Sequence, residues 1–178
     1  ISTDMPEPTA MNLATYSKQD GLSSRMVLLK GIDECGFVFY TNYDSRKAQD
    51  LANCSVVALC FWWGALERQV RIEGNVEKVS DQESDDYFHS RPRGSQVGAI
   101  ASKQSSVMDT YKELRDQVVE VEKKYKDLVV IPRPGYWGGY RVIPSAIEFW
   151  QGRPSRLHDR LKYNKGTDGD WTIERLSP

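Results

Sequence analysis

The chain has 178 residues, of which 39% are hydrophobic and 28% are charged, so it is too apolar for a disordered polymer and too charged for a bundle of membrane helices. Its 24 Lys and Arg residues nearly balance its 25 Asp and Glu residues, which argues against the overall positive field of a nucleic-acid-binding protein. This length predicts one domain that covers residues 1–178.

The cysteine and histidine content argues against disulfides and metal sites. Cys35, Cys54 and Cys60 form no CxxC pair, and only two histidines could join them as ligands. The longest apolar run, VVALCFWW at 56–63, is shorter than the roughly 20 residues that cross a bilayer, and the acidic start ISTDMPEP lacks a signal-peptide pattern. We therefore expect a metal-free protein without a membrane span in a reducing compartment, the cytoplasm, while targeting to an organelle stays open.

Segments rich in β-branched and aromatic residues recur along the chain between Gly, Pro, Asn, Asp and Ser. They predict about eight strands, drawn from 11–17, 23–31, 36–42, 55–63, 68–79, 138–144, 145–152, 155–163 and 170–176. Helical spacing predicts helices over 45–53, 80–91 and 109–128, and Ser80 with Glu83 forms a capping box at the second. Because regular βαβ alternation and a GxGxxG motif are both lacking, the pattern favours a mainly β, antiparallel barrel with flanking helices over a Rossmann domain.

Two segments place basic residues where an anion could be held. In SRMVLLK at 24–30, Arg25 and Lys30 differ in parity and would lie on opposite faces of a strand. In FYTNYDSRKAQDL at 39–51, Arg46 and Lys47 open a predicted helix, where a phosphate bound by the backbone amides would account for cations that otherwise oppose the helix dipole. Solvent-facing charge is the simpler interpretation of the first segment, and chance surface basicity explains the second equally well.

The strand RQVRIEG at 68–74 combines an amide with a guanidinium. Its alternation puts Gln69 and Arg71 on one face, where they could hydrogen-bond the carbonyls and nitrogens of a heterocycle. Ordinary solvation of a strand explains the same pattern about equally well.

YFHSRPRGS at 87–95 predicts a second anion site. Tyr87 and Arg91 are four residues apart near a helix end, and Pro92 with Gly94 predicts a turn that brings Ser95 back towards them. A phenol, a guanidinium and a hydroxyl suit a phosphate, although a surface patch at a helix end needs no function.

FWQGRPSRLHDRL at 149–161 places Arg156, His158 and Arg160 at every second position. If this segment is a strand, the three side chains share one face, and anionic ligands would offset their repulsion. Since no Ser/His/Asp or Cys/His motif stands out, we favour a site whose chemistry belongs to an organic cofactor, with phosphate clamps supplied by the protein.

Taken together, eight motifs resemble the pyridoxamine (pyridoxine) 5′-phosphate oxidase family and follow its order, from about Glu7 to the closing ERLSP. They are EPTAMNLAT, SSRMVLLKG, FYTNYDSRKA, RQVRIEG, YFHSRPRGSQVGA, SKQSS, WGGYRV and EFWQGRPSRLHDR, and RPSRLHDR is the most specific. The resemblance implies an FMN-binding split β-barrel of Greek-key topology with a dimerisation and substrate-site region at about 136–178. It also implies a homodimer with FMN between the subunits, and oxidation of pyridoxamine or pyridoxine 5′-phosphate to pyridoxal 5′-phosphate by O2, with H2O2 as product.

The resemblance assigns roles to individual residues. The FMN contacts would be Arg25, Met26, Val27, Leu28, Lys30, Tyr40, Thr41, Arg46, Lys47, Gln69, Gln104, Ser105, Trp150 and Arg160. The substrate would be bound by Lys30, Tyr87, Arg91 and Ser95 at its phosphate and by Arg156, Leu157 and His158 at its ring. Our hypothesis is that Arg156 and His158 are the catalytic pair, which positions the substrate and assists its proton.

Two rival functions remain open at the level of sequence. A flavin reductase-like enzyme on the same barrel would keep the FMN contacts but would have no reason to keep Tyr87, Arg91, Ser95 and the RLH triplet together. A non-catalytic carrier of FMN or pyridoxal phosphate would bind its ligand without turnover.

Overall fold

The computed structural model describes residues 5–178, and residues 1–4 of the ISTDMPEP stretch lie outside this range. The strands are β1 (Ala10–Ser17), β2 (Gly21–Leu28), β3 (Gly31–Ile32), β4 (Phe37–Asn42), β5 (Val56–Trp63), β6 (Arg68–Lys78), β7 (Trp137–Gln151), β8 (Asp159–Lys165) and β9 (Trp171–Arg175). The helices are α1 (Arg46–Asn53), α2 (Asp81–Ser90), α3 (Arg93–Ala101) and α4 (Tyr111–Lys124).

The nine strands form one sheet in the order β2-β1-β5-β6-β7-β4-β3, to which β8 is added on β7 and β9 on β8. Antiparallel pairing sets the register, for example Ser17 opposite Gly21 in β1 and β2, and Trp150 opposite Arg160 in β7 and β8. Short hairpin connections favour this arrangement because antiparallel neighbours need only a tight turn. The prediction of a mainly β protein with a few helices is confirmed.

The chain divides into two compact units. Among the described residues, unit 1 comprises 5–39, 50–77 and 141–178, and unit 2 comprises 40–49 and 78–140. The division runs through β4, α1 and β7, each of which contributes residues to both units. Whether residues 1–178 act as one domain stays a prediction.

Unit 1 is built on alternating strands. In β1 every second side chain is buried, from Met11 through Leu13 to Thr15, and in β5 Val57, Leu59 and Phe61 repeat the pattern. Period-two burial is what a pleated strand requires when one face covers a core. The opposite face of these two strands is mixed and includes the exposed side chains of Tyr16, Val56 and Trp62.

Unit 2 packs its helices on a small aromatic core. Phe88, Val97, Ile131 and Trp137 are buried together, and Val118 and Val121 of α4 pack against them with Tyr125, which follows the helix. Burying a side chain of this size contributes roughly 1.5–3 kcal/mol. Ser80 caps α2 as predicted, because its hydroxyl accepts a hydrogen bond from Glu83 N at 3.1 Å.

Three predicted elements differ from the structure. Segments 138–144 and 145–152 form the single strand β7. The strand continues through Pro144 because Gly74 on β6 has no Cβ, and a Cβ there would overlap the Ile143 carbonyl. The prediction of a turn at Pro92 and Gly94 is wrong, because Pro92 is the N-cap of helix α3, whose Val97 and Ala101 are buried. The strand predicted at 155–163 starts only at Asp159, after a 3-10 turn over Pro154–Arg156.

Candidate functional site

Lys47 is the centre of a polar cradle in unit 2. Its side chain is buried in the first turn of α1, and Nζ donates to Thr41 Oγ1 at 3.1 Å, Ser45 Oγ at 3.2 Å and Gln104 Oε1 at 3.0 Å. Thr41 also donates to Gln104 Oε1 at 3.0 Å, which ties the loop after α3 to β4. These three oxygens are neutral and fix the ammonium at the start of α1, where backbone amides also favour an anion such as a phosphate.

A cavity of about 810 Å³ lies beside this cradle in unit 2. Three predicted FMN contacts, Arg46, Gln104 and Ser105, line it together with Ile100, Val121 and the acidic side chains Asp44, Asp116 and Glu120. Ser105 holds a left-handed backbone with φ 71°, which turns the KQSS loop at the cavity. The loop that the sequence marked only as weakly polar therefore borders a built cavity.

The predicted phosphate clamp of Tyr87 and Arg91 is also in unit 2. Tyr87 stacks on Tyr40 with ring centroids 3.9 Å apart, and the Arg91 guanidinium lies 4.7 Å from the Trp137 ring centre. Arg91 Nη1 is buried without a hydrogen-bond partner among residues 5–178. Burial lowers the pKa of Arg91 and raises the pKa of Tyr87, the latter partly offset by the Arg91 charge.

Ser95, the third member of that clamp, is exposed in the first turn of α3. Its backbone N donates to Pro92 O at 2.8 Å, so this residue continues a helix and does not fold back in a turn. The prediction that Ser95 follows closely after α2 is right, but the predicted turn is wrong. A helix capped by Pro and a Pro-Gly turn begin with the same residue types, so the sequence does not distinguish them.

In unit 1, Arg25 on β2 is held by β1 and α1. Nη1 donates to Thr15 Oγ1 at 2.7 Å and to Leu13 O at 3.1 Å, and Nη2 donates to Ser23 Oγ at 2.6 Å. Thr15 in turn donates to the buried carboxylate of Asp50 at 2.6 Å, which lies 3.6 Å from Arg25 Nη2. The cation is thereby fixed against one acidic and several neutral groups.

The other residues of the SRMVLLK motif occupy β2 and the turn after it. Met26 and Leu28 are exposed, Val27 is half-buried, and exposed Lys30 follows the end of the strand, with its backbone N donating to Val38 O at 2.8 Å. The strand ends at Leu28, so the predicted strand face of Lys30 does not exist.

A chain of alternating charges crosses β6, β7 and β8 in unit 1. Glu148 on β7 is buried, and its Oε1 lies 2.8 Å from both Nε and Nη2 of Arg160. Its Oε2 lies 3.2 Å from Arg71 Nη1, and Arg71 also contacts Glu73 at 3.1 Å. Half-buried Gln69 shares the strand with Arg71, as its parity predicts.

The RPSRLH segment brings His158 against Trp150, with ring centroids 4.7 Å apart. His158 Nδ1 accepts a hydrogen bond from Arg153 N at 3.1 Å. Ser155 and Arg156 both have left-handed backbones, with φ of 58° and 62°, and Arg156 and Leu157 are exposed. Arg156 therefore does not continue the row of Arg160, and the single cationic face predicted for 156–160 is not formed.

The sequence missed the side chains that hold these groups. Glu148, Asp50 and Trp137 contact predicted site residues, but none of them was a candidate. Alternation in EFWQ indicated that Glu148 and Trp150 share a strand face, and this was the only available signal. The groups that the structure describes fit a phosphorylated cofactor and a phosphorylated substrate, because each unit holds fixed cations and unit 2 holds an orphaned guanidinium nitrogen.

Comparison with known proteins places this chain in a family. Residues 2–125 match the family model described as pyridoxamine 5′-phosphate oxidase, and residues 137–178 match the model described as pyridoxine 5′-phosphate oxidase C-terminal dimerisation region. The chain belongs to the pyridoxamine 5′-phosphate oxidase family. Proteins named pyridoxine/pyridoxamine 5′-phosphate oxidase from Synechocystis sp. and Acaryochloris marina are 58% and 59% identical over the whole chain, which covers 82% and 80% of their lengths.

Solved structures agree with this family on the fold. PhzG from Burkholderia lata 383, solved with tetrahydrophenazine-1-carboxylic acid, is 30% identical with a TM-score of 0.90, covering 96% of this chain and 83% of PhzG. An FMN-binding protein from Nostoc punctiforme related to pyridoxamine 5′-phosphate oxidase has a TM-score of 0.76 at 13% identity, covering 96% of this chain and 89% of its own. The predicted split-barrel fold class is confirmed.

Family membership confirms that the chain is an oxidoreductase enzyme and supports FMN as its cofactor. The match to a C-terminal dimerisation region at 137–178 supports the expected homodimer. Within residues 5–178, no helix is long and apolar enough to cross a membrane.

Proposed function

We propose that this enzyme oxidises pyridoxamine 5′-phosphate or pyridoxine 5′-phosphate to pyridoxal 5′-phosphate, with O2 as electron acceptor and H2O2 as product. For the amine, substrate, O2 and water give aldehyde, ammonia and H2O2. FMN, when bound, supplies the electron acceptor for the substrate carbon. Relatives that carry these substrates in their names, at 58% and 59% identity over the whole chain, support the proposal.

The observation that carries the proposal is the unpartnered nitrogen of Arg91. A buried guanidinium N–H without an acceptor costs free energy, and an anion that supplies the acceptor recovers it. Because burial raises the pKa of Tyr87, its phenol stays protonated and can donate to the same anion. A phosphate on the substrate has the charge and the acceptors that this pair needs, which Lys30 and Ser95 are proposed to supplement.

Arg156, Leu157 and His158 are proposed to contact the substrate ring. Since His158 Nδ1 accepts from a backbone N–H, a neutral ring carries its proton on Nε2 and presents a donor there. Taking a second proton would require Nδ1 to give up the Arg153 contact. We therefore favour a positioning role for His158, and a pH profile of turnover unchanged by His158→Asn would contradict any proton transfer by this residue.

For the cofactor, Lys47 with Arg46 is proposed to bind the FMN phosphate, aided by Thr41, Gln104 and Ser105 of the same unit, and Arg25 of unit 1 is proposed as a further FMN contact. The remaining proposed contacts, which would border the ring or its side chain, are Met26, Val27, Leu28, Lys30, Tyr40, Gln69, Trp150 and Arg160. Replacing Arg160 is expected to weaken FMN retention first, whereas replacing Arg156 is expected to impair substrate use. The site is proposed to be completed in the homodimer, and a cytoplasmic location stays a prediction.

The test is peroxide release by the FMN-loaded protein. Adding pyridoxamine 5′-phosphate in air is expected to produce one H2O2 for each pyridoxal 5′-phosphate, while unphosphorylated pyridoxamine at the same concentration gives little. A yellow protein that oxidises a reduced nicotinamide but not pyridoxamine 5′-phosphate would establish the flavin reductase-like rival. A protein that binds pyridoxal 5′-phosphate or FMN without releasing peroxide would establish the carrier.

A further inference from the structure

Glu148 on β7 is a buried carboxylate, and it contacts Arg160, the predicted FMN contact on β8. The side chain is 8% exposed, and one oxygen lies 2.8 Å from Nε and Nη2 of Arg160 while the other lies 3.2 Å from Arg71 Nη1. Arg160 Nη1 also donates to Ser177 O at 3.0 Å. The side edge of the Arg160 guanidinium is therefore fixed by Glu148, and its outer end is fixed by the chain near its C-terminus.

These contacts restrict the orientation of the Arg160 guanidinium. Each terminal nitrogen of a guanidinium carries two hydrogens, so Nη1 and Nη2 keep donor capacity after the contacts with Ser177 and Glu148. A planar guanidinium held along one edge presents its remaining donors in one direction. Arg160 is opposite Trp150 in the register of β7 and β8, so it projects beside a second predicted FMN contact.

We propose that Glu148 is a positioning residue that fixes the Arg160 guanidinium for FMN, an inference that rests on the proposed function. Glu148 does not itself contact the cofactor. Burying the Glu148 carboxylate would be costly without a counter-charge. The guanidinium groups of Arg71 and Arg160 offset that cost. The same carboxylate holds Arg71, which shares a strand face with Gln69.

The test is a double-mutant cycle read by FMN binding, measured as quenching of flavin fluorescence on titration of apoprotein. Glu148→Gln keeps the shape and one acceptor but removes the charge, and it is expected to raise the Kd for FMN about tenfold. In an Arg160→Met background the same substitution is expected to leave Kd unchanged, because Arg160 is then absent and the remaining partner of Glu148, Arg71, is not one of the proposed FMN contacts. A residue that only supports the fold would act equally in both backgrounds.

Glu73→Gln is the matched control. Glu73 pairs with Arg71 at 3.1 Å but has no contact with Arg160, so its loss is expected to change Kd less than twofold. If Glu148→Gln does not give folded apoprotein by thermal melting, Glu148→Asp replaces it in the cycle. Aspartate keeps the charge and shortens the reach, so its effect must also vanish in the Arg160→Met background.

An unchanged or lower Kd for Glu148→Gln, or an equal increase in both backgrounds, overturns the inference while leaving the proposed function intact. A parent protein that binds FMN but releases no peroxide with pyridoxamine 5′-phosphate overturns the proposed function, and the cycle still decides the role of Glu148. A parent that binds no FMN overturns both.

Discussion

Two arginines of the predicted site are held in opposite ways in the two units. Arg91 of unit 2 packs 4.7 Å from the Trp137 ring centre, and its Nη1 is buried without a partner among the described residues. Arg160 of unit 1 is clamped by the buried carboxylate of Glu148 at 2.8 Å. An aromatic face steadies a cation without neutralising it, whereas a carboxylate neutralises it and fixes its direction.

This difference indicates which of the two arginines can still gain a counter-ion from a ligand. A buried nitrogen without an acceptor is a standing cost to the fold, so Arg91 is set up to gain a bound anion. Arg160 already has its counter-ion, so it can orient a polar group but contributes less net charge. Replacing each kind of arginine, or a group that holds it, tests this contrast.

Arg91→Met is expected to abolish most substrate binding without a loss of stability. Removing the charged partner of a bound phosphate should raise KM for pyridoxamine 5′-phosphate about 100-fold. The apoprotein should melt at the same temperature or higher, because a buried group without its hydrogen-bond partner is replaced by an apolar one. Steady-state kinetics and thermal melting measure the two effects.

Arg133 supplies the matched control for Arg91 within unit 2. It donates to Asp85 at 2.6 Å, Asp81 at 2.8 Å and the Trp137 carbonyl at 2.6 Å. Arg133→Met should lower the free energy of unfolding by about 1 kcal/mol, because it leaves the Trp137 carbonyl without this donor and removes two ion pairs to exposed carboxylates. If Arg91→Met were instead the more destabilising of the two, the distinction between an available and a compensated arginine would be wrong.

Lys47→Met is expected to weaken FMN binding about 30-fold, as measured by fluorescence titration. The variant keeps the length of the side chain and the hydrogen bond from Thr41 to Gln104 but removes the ammonium from the start of α1. Lys103→Met changes an exposed lysine beside Gln104 and should leave Kd within about twofold of the parent value. Equal effects of the two substitutions would mean that general positive charge, and not the cradle, binds the phosphate.

Trp137→Phe should raise KM several-fold with little change in kcat. A smaller ring gives Arg91 a weaker cation–π contact, which is worth about 0.5–2 kcal/mol depending on burial. Trp171→Phe, which alters an exposed tryptophan 5.9 Å from Lys165 Nζ in unit 1, is the control and should leave KM unchanged. A fall in kcat at constant KM would show that Trp137 acts on something other than the position of Arg91.

The sequence predicted the charges of the site far better than the groups that hold them. Strand parity gave the shared face of Gln69 and Arg71, and a helix start gave the place of Lys47. Glu148 could not be found in this way, because it is 77 residues from Arg71 and only the pairing of strands brings the two together. Alternation predicts which face a side chain occupies but not which strand lies beside it.

The same limit explains the errors in the fold. Pro and Gly mark both a turn and the beginning of a helix, so the sequence predicts a turn where the chain forms α3 and buries Val97 and Ala101. Alternating residues 156, 158 and 160 suggested one strand, but left-handed backbones at Ser155 and Arg156 place a turn there. Tertiary packing settles both cases, and no local pattern reports it.

Asp33→Asn provides the smallest and most local test, on a compensated arginine of unit 1. Asp33 Oδ2 accepts from Arg141 Nε at 3.0 Å and Nη2 at 2.6 Å, and its Oδ1 accepts from the backbone N of Cys35 and of Gly36. The Arg141 hydrogen bond is the main reason why the pKa of Asp33 lies below its ordinary value of 3.8. Asparagine keeps the turn contacts and removes the charge, so the difference isolates the pair.

Because the folded-state pKa of Asp33 is the lower one, the pair stabilises the protein fully above the unfolded value and is lost as pH falls through the folded value. We expect Asp33→Asn to lower the free energy of unfolding by about 1 kcal/mol at neutral pH, a modest value since the carboxylate is partly exposed. The difference should disappear as the pH drops below 3.8, in urea melts at several pH values. A constant penalty across this range would mean that the turn, not the ion pair, had been damaged.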